Sequence, residues 1–303
     1  MPIKIALTGN PNCGKTTMFN DLTGSSQYVG NWPGVTVEKK EGRLKHHKDV
    51  IVTDLPGIYS LSPYTLEEVV TRDYLILEKP DVIIDIVDAT NIERNLYLTT
   101  QLVEVGLPVV IALNMMDVIQ KSGDEINVGK LSRALGCEVV KTSALRGEGL
   151  RELADRAVKI AQEKEAANVL HEFGPGIEKA IRDIEELIGE SVKETNAHWF
   201  ALKLFERDEK VIEQLALPED VSAKIEDIIT GVENGEGDDA ESIISNARYE
   251  YIGEVVKDAV KKKAKGDLSV SDKIDRVVTN RWLALPIFFF IMWGIYYVSI
   301  QTL

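Results

Sequence analysis

Gly9-Asn10-Pro11-Asn12-Cys13-Gly14-Lys15-Thr16 decides how this chain is read. It satisfies G-x-x-x-x-G-K-[ST] throughout. It follows the apolar run Ile3–Thr8 and leads into a helical pattern over Lys15–Thr23. Strand, glycine loop and helix in that order make a phosphate cradle. The glycines let backbone N–H groups turn toward phosphate oxygens, and the helix N-terminus adds favourable partial charge. Asn10, Pro11, Asn12, Cys13, Gly14, Lys15, Thr16 and Thr17 are the candidate phosphate contacts. Lys15 is placed to reach the terminal phosphates and the Thr16 hydroxyl to ligate Mg2+.

Outward from that loop, β-branched runs at Val50–Asp54, Val82–Val87, Val109–Leu113 and Glu138–Thr142 alternate with helical patterns. The helices are expected at Thr65–Glu78, Asn91–Val105, Val128–Leu135 and Leu150–Lys164. Such alternation predicts a doubly wound, mostly parallel α/β sheet. Glu38–Leu44 reads as an edge strand ending in a turn at His46–Asp49, and Gly24–Thr36 as a mobile loop. Near Ala166 the pattern becomes helical, with breaks expected at Gly174–Gly176, Pro218 and Gly231–Asp239. Leu217–Ser242 holds nine carboxylates against one lysine and reads as a solvated face or loop. The expected domains are 1–165, 166–270 and 271–303.

Three further motifs fall at predicted strand ends, where ligands bind in such sheets. In Asp54-Leu55-Pro56-Gly57 the aspartate can hold Mg2+ through water and the Gly57 N–H can meet the γ-phosphate. Asn114-Met115-Met116-Asp117 resembles the N-K-x-D guanine signature, with Met115 where lysine is usual. The Asp117 carboxylate can accept from guanine N1–H and N2–H2, a donor pair adenine lacks. Ser143-Ala144 resembles the last guanine loop, whose backbone N–H meets O6. Thr36, with Gly34 and Val35, is placed as a switch residue reaching Mg2+ and the γ-phosphate. Together these predict a P-loop GTPase fold of the Ras-like kind, with Lys15, Asn12 and Thr36 as the catalytic candidates. Ile58 stands where many small G proteins carry a water-orienting glutamine, so either the intrinsic rate is low or another group substitutes. Asn12 is the candidate, through a bound K+ of the kind seen in potassium-activated G proteins.

The chain has 303 residues, a net charge of −14 and two cysteines without metal-ligand spacing. That charge disfavours nucleic-acid binding, and the cysteines suggest neither disulfide nor zinc site. No signal peptide is expected at the N-terminus. Trp282–Leu303 lacks charge, and Lys261, Lys262, Lys263, Lys265, Lys273, Arg276 and Arg281 precede it. This predicts a first, truncated transmembrane helix with the preceding residues cytoplasmic.

Three segments go beyond generic G-protein motifs: Val29-Gly30-Asn31-Trp32-Pro33-Gly34-Val35-Thr36-Val37-Glu38, Asp54-Leu55-Pro56-Gly57-Ile58-Tyr59-Ser60-Leu61 and Val87-Asp88-Ala89-Thr90-Asn91-Ile92-Glu93-Arg94-Asn95-Leu96. With Arg248-Tyr249 and Arg281-Trp282-Leu283-Ala284-Leu285-Pro286, the chain resembles the ferrous iron transport protein B family. The resemblance implies a cytoplasmic G domain, a helical spacer tuning GDP release, and a membrane domain moving Fe2+ across a prokaryotic inner membrane. It also implies K+ at Asn12 and Mg2+ at Thr36, with homo-oligomers and small accessory transport proteins as possible partners alongside the lipid bilayer. Two other functions fit the motifs. One is a membrane-tethered GTPase of RNA or ribosome maturation, disfavoured by the acidic helical region. The other is a nucleotide-sensing module with negligible hydrolysis, which Ile58 keeps open.

Overall fold

Side-chain alternation along the strands sorts the chain into two faces. In β1 (Ile3–Gly9), Ile5 and Leu7 join Met18 and Phe19 of α1 (Lys15–Thr23), while Ala6 turns to the opposite face. The computed structural model describes residues 2–24, 27–62, 64–163, 172–189, 192, 197–263, 278 and 284–301. Strands β2 (Gln27–Asn31), β3 (Glu38–Leu44) and β4 (His47–Asp54) follow α1. Next come α2 (Leu66–Asp73), continued by one π-helical turn at Tyr74–Glu78, then β5 (Val82–Asp88) and α3 (Ile92–Glu104). After them run β6 (Val109–Asn114), α4 (Met116–Ser122), the short β7 (Glu125–Ile126), α5 (Val128–Leu135), β8 (Glu138–Lys141) and α6 (Leu150–Glu163).

The main sheet has the order β2-β3-β4-β1-β5-β6-β8. It is parallel from β4 to β8, with β2 and β3 added antiparallel. This is the doubly wound α/β fold expected from the sequence. Val82, Ile84 and Ile86 of β5 pack with the α1 and α6 face, and Ile83 and Val87 with the α3 face. Two expectations are corrected. Glu38–Leu44 is not the edge strand, because Gln27–Asn31, within the segment read as a loop, pairs outside it in register from Gln27↔Gly42 to Asn31↔Glu38. Its Gly30 and Asn31 concealed the strand, since neither residue favours one.

Helices α7 (Pro175–Ile188), α8 (Ala197–Phe205), α9 (Glu209–Leu215), α10 (Glu219–Glu236) and α11 (Ala240–Ala259) form the helical region, closed by β9 (Val260–Lys261). Gly174 and Pro175 open α7, with the proline in the first turn where its missing N–H removes no helical bond. The break expected at Gly231–Asp239 falls at the end of that stretch: α10 runs through Gly231 and Gly235 and stops at Gly237, whose φ of 76° ends it. Ile225 and Ile229 bury one stripe, so tertiary packing overrides the low propensity of the two glycines.

Residues 1–261 make one compact unit and 262–303 a second. Within the first, α11 packs on α3 and α5, and one buried apolar cluster runs from Ala6 and Ile83 through Leu98 to Ile181, Trp199 and Ile244. Strands β7 and β9 pair antiparallel. In the second unit, the helix Ala284–Gln301 exposes Phe288, Phe289, Phe290 and Trp293. Among the described residues no helix is long and apolar enough to cross a membrane. Lys265, Lys273, Arg276, Arg281–Leu283, Thr302 and Leu303, on which the expected span also drew, lie outside the described residues. So does the expected domain boundary near Ala166.

Candidate nucleotide site

The predicted loops leave the sheet at the carboxyl ends of β1, β4, β6 and β8. The first loop is shaped by its backbone. Asn12 takes a left-handed φ of 67° and Gly14 a φ of 95°. A Cβ on Gly14 would come within 2.5 Å of Asn114 Nδ2, so this position admits no side chain. The Cys13 N–H donates to Asn10 O at 3.3 Å and the Met18 N–H to Gly14 O at 3.0 Å, which turns the loop into α1. Asn12, Thr16 and Thr17 are exposed.

Lys15 Nζ lies 2.5 Å from Asp54 Oδ1, an ion pair joining the first loop to the end of β4. Burial pushes the Asp54 carboxyl above its ordinary range, and the Lys15 charge opposes that shift. Gly57 comes close to the first loop, where an added Cβ would stand 3.3 Å from Pro11 Cα. Leu55 and Ile58 are buried in the apolar core. Ile58 therefore holds the loop by packing and offers nothing polar to a water.

Asn114 gathers three loops. Its Nδ2 donates to Cys13 O at 2.8 Å, and its Oδ1 accepts from the Ala144 N–H at 2.9 Å and from Thr142 Oγ1 at 3.5 Å. The Ala144 N–H, expected at guanine O6, is thus engaged by Asn114. Met115 is left-handed at φ 63°, which starts α4 and brings Asp117 inward. Ser143 Oγ donates to Asp117 Oδ1 at 3.0 Å. Arg146 Nε stands 3.9 Å from Asp117 Oδ2. This puts a positive charge beside the Asp117 carboxylate. The place of Arg146 two residues beyond Ala144 gives no sign of this contact in the sequence.

Thr36 is exposed in a turn closed by Trp32 N–H to Val37 O at 2.9 Å, with Gly34 at φ 78° and Val35 half-buried. Its hydroxyl makes no hydrogen bond to the other predicted site residues among those described. Thr16, Thr36 and Asp54 present two hydroxyls and one carboxylate, an oxygen set that suits Mg2+. Among the described residues no group of three or more His, Cys, Asp and Glu side chains could hold a metal. His47 instead contacts Asp155 at 3.0 Å. Cys13 is buried, and burial pushes its thiol up to about 12, which leaves it a packing residue.

Residues 3–157 match the family model described as ferrous iron transport protein B, and residues 173–261 match that of the FeoB cytosolic helical domain. The chain is 41% identical to an Fe(2+) transport protein A/Fe(2+) transporter FeoB fusion protein of Porphyromonas gingivalis, over 96% of this chain and 36% of the relative. It is 37% identical to the Fe(2+) transporter FeoB of Escherichia coli, over 99% of this chain and 39% of the relative. It therefore spans less than half the length of these curated relatives. Among solved structures it resembles a GDP-bound mutant of S. thermophilus NFeoB, with a TM-score of 0.80 and 49% identity over 86% of this chain and 100% of that one. S. thermophilus NFeoB bound to GDP.AlF4- and K+ matches with a TM-score of 0.75 and 48% identity over 84% and 99%.

Proposed function

The chain belongs to the ferrous iron transport protein B family, and from that membership we propose that it is the GTP-hydrolysing cytoplasmic part of an Fe2+ transporter. It is a GTPase, with GTP and GDP as ligands and Mg2+ and K+ as cofactors. The proposed organisation is a G domain over 1–165, a helical spacer over 166–270, and a linker with a first membrane helix over 271–303. Residues 1–281 then lie on the cytoplasmic side of a prokaryotic inner membrane. Hydrolysis regulates or drives Fe2+ uptake through a membrane domain.

One observation carries the site reading. Asn114 and the Lys15–Asp54 pair tie together the loops at the ends of four strands. Lys15 and the loop N–H groups hold the phosphates, and the Gly57 N–H meets the γ-phosphate. Asp117 and Ser143, with Asn114, Met115 and Ala144 framing them, read guanine. Thr16, Thr36 and Asp54 would hold Mg2+, which when bound neutralises developing phosphate charge. Asn12 would hold K+, which adds positive charge where Ile58 adds none. For this, the exposed Asn12 side chain extends from a left-handed backbone position on the loop rim.

GTP turnover by the 303-residue chain tests the proposal, measured in K+ and in Na+ at equal ionic strength. The expected result is hydrolysis at least about tenfold faster in K+, the advantage disappearing in Asn12→Ala. Slow turnover independent of the cation would remove the K+ mechanism. It would favour a nucleotide-sensing module, the reading supported by the buried Ile58.

A further inference from the structure

Gln101 lies on α3 and is 1% exposed. Its Oε1 accepts a hydrogen bond from the Leu61 N–H at 2.6 Å. A backbone N–H can only donate, so this contact settles which end of the amide faces the loop. Leu61 is itself fully buried. Gln101 Nε2 is also buried and has no hydrogen-bond partner among the described residues.

Leu61 ends the segment that begins at Asp54. Upstream, the Leu55 N–H donates to Leu7 O at 2.9 Å and the Ile58 N–H to Gly9 O at 3.3 Å. These two bonds hold the near side of the loop to β1. Gln101 holds the far side to α3. Among the described residues, no other side chain from outside the segment bonds its backbone. Between the anchors, the Arg94 guanidinium of α3 lies 4.3 Å from the centre of the Tyr59 ring. That contact is exposed and adaptable, whereas the Gln101 bond is dry and directional.

We propose that Gln101 is a positioning residue for GTP hydrolysis, holding the Asp54–Leu61 loop through the Leu61 N–H so that the Gly57 N–H is presented to the γ-phosphate. This rests on the GTPase reading above and names a residue that reading does not use. The unpartnered Nε2 gives the same amide a second bonding choice. A loop carbonyl that reaches Nε2 would satisfy a buried donor that now lacks a partner, while the Leu61 N–H keeps its bond to Oε1. GDP has no γ-phosphate, and its base and remaining phosphates meet other loops. Loss of the anchor should therefore appear in turnover and not in GDP affinity.

The test compares the full 303-residue chain with Gln101→Leu, which keeps the volume and removes the acceptor. A hydrogen bond of ordinary net strength corresponds to about a tenfold change in rate. The expected result is kcat for GTP lower by about tenfold, the GDP Kd changed by less than about threefold, and amide exchange at Leu61 faster by about tenfold, with the α3 amides unchanged. An unchanged kcat, or unchanged Leu61 exchange, overturns the proposal. So does a parallel loss of GDP affinity, turnover and melting temperature, which marks a purely structural residue. If Gln101→Leu does not fold, the wild-type chain still decides: a Leu61 amide exchanging at the rate of an unprotected peptide overturns the anchor. A wild-type chain that binds GTP but turns none over defeats the GTPase reading itself. Normal wild-type turnover with an unaffected variant defeats the Gln101 assignment alone.

Discussion

Asp85 shows what one polar residue does in an otherwise apolar strand. It occupies the α3 face of β5 between Ile83 and Val87, is fully buried, and accepts from Thr99 Oγ1 at 2.6 Å. Burial lifts its carboxyl to about 7, with the Thr99 bond opposing the shift. A raised folded value means that the folded chain holds a proton which the unfolded chain has lost. The Asp85 contribution to stability is thus greatest below the ordinary aspartate range and falls as pH rises toward about 7. The shift corresponds to about 4 kcal/mol at most. Asp85→Asn should match the wild type in urea unfolding at pH 4 and exceed it by a few kcal/mol, about 4 at most, at pH 8. Equal stability at both pH values would refute this account. The cysteines make a second residue-scale case. Burial pushes both Cys13 and Cys137 up to about 12. Both should resist iodoacetamide at pH 8 in the folded chain and react once it is unfolded, as thiol titration would show. The motif residues were legible because each is tied to a short, spaced pattern. Gln101 and Arg146 were not, because their roles come from side-chain reach across the fold.

At the scale of elements, the contact between α3 and α11 depends on a buried charge network. Arg248 Nε and Nη2 donate to Glu104 at 2.9 and 2.8 Å, and Nη1 donates to Glu206 at 2.6 Å, which Lys203 also meets at 2.6 Å. Burial pushes the Glu206 carboxyl upward, but Lys203 and Arg248 outweigh it and hold it below the ordinary range. Its contribution is present above that range and is lost as pH falls through the lowered folded value. Arg248→Met leaves Glu104 buried without its bidentate partner and should cost about 3–5 kcal/mol in denaturant unfolding at pH 7. A loss under about 1 kcal/mol would mean that water reaches the pair. Strands with long β-branched runs, such as Val82–Asp88 and Val109–Asn114, were readable from composition. Strand β2 and the glycine-bearing α10 were not. In both, pairing or packing with distant residues supplies what local propensity withholds.

Across the whole molecule, sheet and helices in residues 1–261 bury one shared core. Arg72 of α2 reaches Asp208 of the helical region at 3.1 Å, and Tyr64 donates to Glu241 at 2.7 Å. A chain ending at Glu163 would uncover the α3 and α5 surfaces on which α11 rests. It should bind a hydrophobic dye such as ANS and melt several degrees lower than the full chain; an unchanged melting temperature would show that the core divides cleanly. The sequence by itself determined the doubly wound sheet, the order of the loops at its strand ends and the place of Asp117 just beyond β6. Each follows from local spacing, turn chemistry and the period of apolar residues, which act over a few residues. The tertiary structure alone decided the edge strand, the union of sheet and helices in one core, the Arg146 charge beside Asp117 and the Gln101 anchor. Those depend on contacts between residues far apart in the chain, whose energies exist only once both partners have been brought together and dried.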